Sequence, residues 1–243
     1  MYDGERRIYV DDDALARAVA QHVVTLANDT RSRRRPFAVA LAGGSTPRQA
    51  YAALASPEFA DRIAWDRAHL CWSDERCVPP DHEESNYRMA RELLLDHVPI
   101  PEENVHRMRG ELPPNEAARA YEDEIVALFH EIEVTSFDLI LLGLGEDGHT
   151  ASLFPGTAAL NERERWVVAN HVQKLEAWRL TLTLPAINAA EDVAFIVSGE
   201  RKRAILHRVW DASQDGSELP AQRVQPDDGR LIWMVDAEAA GAF

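Results

Sequence analysis

The feature that most constrains this chain is a series of short apolar runs that stop abruptly on glycine or on charged residues. The plainest is FDLILLGLGEDGHTASLFPG, residues 137–156. Its first half is apolar throughout, as in a strand buried on both faces. Gly143, Gly145 and Gly148 then alternate with Glu146, Asp147 and His149. Such a segment turns tightly and lets a ligand approach its backbone. His149 is therefore expected just beyond the carboxyl end of a central strand, where open α/β sheets place ligands. Residues 150–152 are expected to open a short helix before Pro155.

The same pattern recurs along the chain. Residues 6–10 read as a strand, and residues 14–28 as a helix with Leu15, Val19, Val23 and Leu26 on one face. Residues 31–35 form a basic loop. FAVALAGG, residues 37–44, is a second buried strand, and Ser45, Thr46 and Pro47 open a helix running to about residue 55. Residues 68–78 read as one strand that runs into Asp74, Glu75 and Arg76 and ends at Pro79 and Pro80. Ser85 caps a helix through His97, and residues 99–114 are mostly loop. The helix over residues 115–133 is the clearest, with Tyr121, Ile125, Leu128, Phe129 and Ile132 on one face. Strands follow at residues 166–172, 178–185, 193–199 and 230–236. The second alternates Leu180, Leu182 and Leu184 against Thr181 and Thr183. A short helix is expected at 185–190, another from Lys202 to Trp210, and a polar loop at 211–222. Strands alternating with helices imply an α/β fold: a Rossmann-like, doubly wound, mostly parallel sheet with helices on both faces. No repeat, low-complexity tract or long linker divides it, so residues 1–243 are expected to form one domain.

Composition narrows the function. Of 26 basic residues only Lys174 and Lys202 are lysines, and the net charge is −15. That balance argues against nucleic acid or an anionic membrane as partner. It still permits a small anionic ligand held by a local cluster of cations. A lysine kept against so strong a bias toward arginine hints at a need for its compact ammonium. No apolar run reaches the ~20 residues that span a bilayer, and MYDGERRIYV has no apolar signal region. Cys71 and Cys77 have no matching pair, so neither a disulfide framework nor a structural zinc site is expected. The expected location is the cytoplasm and the expected state a monomer.

Several groups can carry chemistry. In AGGSTP, Gly43, Gly44 and Ser45 precede a helix start and can present free N–H groups to an anion; a plain tight turn with a capped helix gives the same sequence. It is neither a P-loop nor a dinucleotide fingerprint. Arg76 can pair with a phosphate through its planar fork, Asp74 can orient a hydroxyl or a neighbouring loop, and Glu75 is expected in a solvated loop. Arg179 and Lys202 are each, taken singly, ordinary surface cations. Together with AGGSTP and Arg76 they make four anion-friendly elements, which a single phosphate site explains. His149 is the candidate base, since an imidazole accepts protons efficiently near neutrality. His97 and His207 lie on expected helices, and His22 is expected to be exposed. No histidine pair has metal-binding spacing, and Ser152 does not sit in a nucleophile elbow.

At these residues the sequence resembles the 6-phosphogluconolactonase family of the pentose phosphate pathway. The resemblance covers nearly the whole chain. It rests on LAGGSTP, WSDERCVPPDHEESNY, FDLILLGLGEDGHTASLFPG, WRLTLTLPAIN and VSGERKRAIL, in that order. It implies the Rossmann-like sheet shared with sugar-phosphate isomerases and deaminases. It also implies hydrolysis of 6-phospho-D-glucono-1,5-lactone to 6-phospho-D-gluconate with no metal and no organic cofactor. By position, His149 is similar to the family's catalytic histidine and Asp147 to the acidic residue two before it. Gly43, Gly44, Ser45, Arg76, Arg179 and Lys202 are similar to its phosphate and substrate contacts, and Asp74 and Asn86 to polar positions at the same cleft. The related glucosamine-6-phosphate deaminases place a Glu shortly after the histidine, where this chain has Phe154. Their MDEY-like stretch is here SDER. A sugar-phosphate sensor on the same fold is the alternative from another class; the intact His149 loop and the lack of a helix-turn-helix extension argue against it.

Overall fold

A computed structural model describes residues 4–211 and 219–241. The polar loop expected at 211–222 falls largely outside them; from Pro220 to Arg223 the chain forms a 3₁₀ turn. In chain order the elements are β1 (Glu5–Tyr9), α1 (Asp12–Ser32), β2 (Phe37–Leu41), α2 (Ser45–Leu54), β3 (Ala68–Trp72), β4 (Asp74–Arg76), α3 (Asn86–Leu93) and α4 (Pro114–Glu131). They continue with β5 (Leu139–Leu142), β6 (Val167–Val172), β7 (Ala177–Leu182), α5 (Leu184–Asn188), β8 (Asp192–Val197), α6 (Arg203–Trp210), β9 (Arg230–Asp236) and α7 (Ala237–Ala240).

Among the described residues the strands form two sheets. The larger has the order β1-β9-β8-β5-β2-β3, and every neighbouring pair in it is parallel. Every residue of β2, β5 and β8 is buried, as a parallel sheet covered on both faces requires. Side-chain alternation assigns the layers. Phe37, Val39, Leu41 and Leu70 pack with Val19 and Val23 of α1 and Tyr51 and Leu54 of α2. On the opposite face Cys71 of β3 meets Tyr121 of α4. Chain order reverses at β2, which leaves toward β3 and is rejoined from its other side by β5. This is the topological switch point at which such sheets bind ligands.

The smaller sheet, β4-β7-β6, is antiparallel, and it corrects the expectation of a single strand over 68–78. The chain leaves the large sheet at Ser73, whose N–H donates to Leu41 O at 2.7 Å and whose carbonyl accepts Leu182 N at 2.8 Å. One residue thus joins the two sheets. Two buried tyrosines pin the adjoining strand ends. Tyr51 Oη accepts from Ala42 N and donates to Ala42 O, at 2.8 and 2.7 Å. Tyr121 Oη does the same for Trp72, at 2.8 and 3.1 Å.

Other expectations also change. Residues 150–152 form a turn, closed by a bridge between Thr150 and Leu153, and not a helix. The helix from Ser85 stops at Leu93 and gives way to a 3₁₀ turn, Leu95–His97. His22 is buried, with Nε2 3.2 Å from Asp192. Glu75 is also buried. Its Oε1 accepts Arg76 N and Asn86 N, and its Oε2 accepts Tyr87 N and the Ser85 hydroxyl. It therefore satisfies the first donors of α3, the role of a capping carboxylate. Burial pushes its pKa above the ordinary value, and the backbone donors oppose this.

Candidate active site

The carboxyl ends of β2, β5 and β8, together with β4, enclose a cleft of about 470 Å³. Gly43, Gly44, Ser45, Asp74, Arg76, Asp147, His149 and Lys202 all line it. Arg179 stands beside it, directly across from Arg76 in the β4–β7 register. Asn86 lies behind the wall. It is buried, and its Nδ2 donates to Asp74 O at 2.9 Å. A Cβ on Gly43 would fall 2.1 Å from Asn86 Oδ1, so Gly43 lets the β2 turn pack flat on that amide.

The imidazole is held from three sides. His149 Nδ1 lies 2.5 Å from Asp147 Oδ1, which also accepts the His149 N–H at 3.1 Å. Phe154 stacks on the ring with centroids 4.0 Å apart. The opposite face rests on Gly145, where any Cβ would sit 2.0 Å from Nδ1. The loop itself is closed by Gly145 N donating to His149 O at 2.8 Å and by the Thr150 hydroxyl donating to Gly143 O at 2.9 Å. Because Nδ1 is engaged by Asp147, Nε2 is the nitrogen left to meet a water or a substrate. Burial pushes the His149 pKa down to about 4; Asp74 opposes this, while Lys202, Arg76 and Arg179 add to it. The Asp147 carboxylate on Nδ1 pulls the other way, toward the charged form.

The small sheet grips the same loop. Thr181 Oγ1 accepts Ser152 N at 3.2 Å, and Asn170 Nδ2 donates to Ser152 O at 2.9 Å. Ser152 Oγ donates to Asp74 Oδ2 at 2.7 Å. Thr181 of β7 is therefore buried against this loop and not turned to solvent.

Three cations gather at the same cleft, with Asp74 and Glu146 also on its lining. Among the described residues, no carboxylate forms an ion pair with Arg76, Arg179 or Lys202. Burial lowers the Arg179 pKa and the neighbouring Arg76 lowers it further, against the pull of Asp74 and Glu84. Burial also lowers Lys202, against the pull of Glu146. The α2 N-terminus borders the same space. Its N-cap, Gly44, offers no side-chain acceptor to the first helical N–H groups, which leaves those donors for an anion. Cations gathered without a direct ion-pair partner among the described residues suit a ligand group carrying two negative charges.

In the sequence Lys174 stands out only through lysine scarcity, with no place in the site. It lines the cleft and its ammonium pairs with Asp147 Oδ2. Ser198 was not foreseen either; it lines the cleft and shares a 2.8 Å hydrogen bond with Thr46. Neither carries a local sequence signal beyond its place after a strand.

The chain is similar to known proteins over nearly its whole length. The family model described as glucosamine-6-phosphate isomerases/6-phosphogluconolactonase matches residues 10–233. The chain is 40% identical over 235 residues to a 6-phosphogluconolactonase of Nostoc sp., covering 96% of this chain and 95% of that one. It is 42% identical over 232 residues to the 6-phosphogluconolactonase of Homo sapiens, covering 93% and 87%. Among solved structures, the 6-phosphogluconolactonase of Trypanosoma cruzi superposes with a TM-score of 0.85 at 28% identity, covering 99% of this chain and 97% of that chain. A monomeric glucosamine-6-phosphate deaminase shares the fold, with a TM-score of 0.80 at 18% identity and coverage of 98% and 100%. With the family model spanning most of its length and two relatives above 40% or at it, the chain belongs to the glucosamine-6-phosphate isomerase/6-phosphogluconolactonase family.

Proposed function

We propose that the chain hydrolyses 6-phospho-D-glucono-1,5-lactone to 6-phospho-D-gluconate in the oxidative pentose phosphate pathway, with His149 as general base and no metal. The observation that carries this reading is one cleft with an Asp-oriented imidazole on one wall and cations without ion-pair partners among the described residues on another. Lactone opening needs a proton acceptor for water and a hold on the far end of the sugar, and this cleft supplies both.

In the proposed reaction a water oxygen attacks C1 and its proton passes to His149 Nε2. The bond from C1 to the ring oxygen then breaks, and the proton returns from Nε2 to that oxygen as the ring opens. Asp147 fixes the tautomer that leaves Nε2 free and stabilises the transient imidazolium. Arg76, Arg179, Lys202 and the α2 N-terminus hold the phosphate and provide binding energy remote from C1. Asp74 faces the sugar. Asn86 acts from behind, by holding Asp74. Phe154, where deaminases of the family carry a Glu, presents a ring and no carboxylate, which favours the lactone over an amino sugar.

The test is a coupled assay with freshly generated 6-phosphogluconolactone, beside glucosamine 6-phosphate with ammonia detection. Turnover of the lactone alone is expected. His149→Ala is expected to lower kcat by roughly 10²- to 10⁴-fold with little change in KM. Turnover by this variant at the parent rate, after subtracting spontaneous hydrolysis, would remove His149 from the role of base, and ammonia release would point to the deaminase.

A further inference from the structure

We propose that Lys174 is a positioning residue for hydrolysis, sharing the Asp147 carboxylate with His149 and so aiming the imidazole and limiting its attraction for a proton. The proposal rests on His149 acting as the base. Lys174 occupies the tip of the β6–β7 hairpin, in the turn Gln173–Leu175. That turn is closed by Glu176 in the left-handed region, at φ 48°. From there the ammonium reaches Asp147 Oδ2 while His149 Nδ1 holds Oδ1. The ammonium also stands 4.8 Å from the centroid of Phe154, the ring stacked on His149. Lys174 thus meets two of the three groups that hold the imidazole, Asp147 and Phe154, and the third, Gly145, has no side chain.

A half-exposed Lys–Asp pair on an open surface contributes little. This one differs because its carboxylate has a second claimant inside a cleft. An unshared carboxylate on Nδ1 would draw the ring toward imidazolium, which cannot accept a proton from water. With its other oxygen given to an ammonium, the same carboxylate still orients the ring but attracts the proton less. The remaining charges facing His149 are Glu146 on its own loop, Asp74 and Arg76 on β4, Arg179 on β7 and Lys202 after β8. Arg76, Arg179 and Lys202 sit on the phosphate side, so Lys174 is the cation that acts on the Nδ1 side. The hairpin that presents Lys174 also carries Arg179, and one element therefore serves both ends of the substrate.

The experiment follows the acid limb of kcat/KM and, independently of activity, the NMR titration of ¹³C-labelled His149 in folded protein. Lys174→Gln is expected to raise both midpoints by roughly half a unit to one unit and to lower kcat. Lys174→Arg is expected to restore both, and Asp147→Asn to move the titration the opposite way. In the Asp147→Asn background, Lys174→Gln should shift the titration far less. An unmoved midpoint in Lys174→Gln, or an equal shift with and without Asp147, overturns the proposal. A raised KM with an unmoved midpoint also overturns it and makes Lys174 a plain substrate contact. The parent reading fails separately, if His149→Ala keeps parental turnover.

Discussion

At the scale of single residues the site depends on how little room surrounds the imidazole. His149 is clasped between Phe154 and the bare Cα of Gly145. Gly145 has no positive φ, so alanine there strains no backbone and acts only through contact. Its methyl would lie 2.0 Å from Nδ1 and 2.1 Å from Cε1, and the ring must move off Asp147. Gly145→Ala is expected to cut kcat by about 10²-fold, the scale of a 1 Å misplacement at a reacting group, while the melting temperature stays close to the parent's. Steady-state kinetics beside a thermal melt read both quantities, and parental kcat would show that the ring's seat is not restrictive. The glycine-rich loop and its histidine were legible from composition and order alone. The reason for this glycine was not, because it lies in a contact between a ring and a backbone four residues away. Lys174 was illegible for a stronger reason: its partner, Asp147, is twenty-seven residues distant.

At the scale of elements, the alternation of apolar runs with amphipathic segments located almost every strand and helix. It failed where backbone partners are remote in sequence. Residues 68–78 carry no local break, and the switch between sheets at Ser73 is decided by Leu41 O and Leu182 N. Glu75 was read as solvated for the same reason, since only the arrival of α3 buries it. Four donors converge on its two oxygens, two on each. Glu75→Gln must turn an NH₂ group toward one of these pairs and leave at least one backbone N–H, that of Tyr87 or those of Arg76 and Asn86, without its acceptor. A loss of about 2–3 kcal/mol follows from an unsatisfied buried cap, a fall of roughly 4–12 °C in melting temperature for a chain of this size. KM should rise as well, because Arg76 and Asn86 flank the same carboxylate. A change within about 0.5 kcal/mol, the range of ordinary surface substitutions, would mean that other groups cap α3.

At the scale of the whole molecule the mostly parallel sheet followed from the order of the segments, whereas its strand order and the second sheet did not, since antiparallel pairing of β4 with β7 joins segments about a hundred residues apart. The charge distribution poses the sharper question. The chain carries −15 overall, yet it gathers Arg76, Arg179 and Lys202 without ion-pair partners among the described residues beside one cleft. A phosphorylated substrate approaching from afar meets the net negative field and is repelled; once inside, it meets the cations. These two effects differ in range. Salt screens the long-range repulsion first, because the Debye length falls from about 30 Å at 0.01 M to about 10 Å at 0.1 M, while partly buried contacts are screened much less. As an inert monovalent salt is raised from low ionic strength, kcat/KM for the phosphorylated lactone is therefore expected to rise, pass through a maximum, and fall only when the clamp itself is screened. An unphosphorylated lactone, which carries no charge, should show a flat profile over the same series. A monotonic fall from the lowest salt would mean that the cleft's cations already govern the field at long range, and identical profiles for the two lactones would place the phosphate away from Arg76, Arg179 and Lys202.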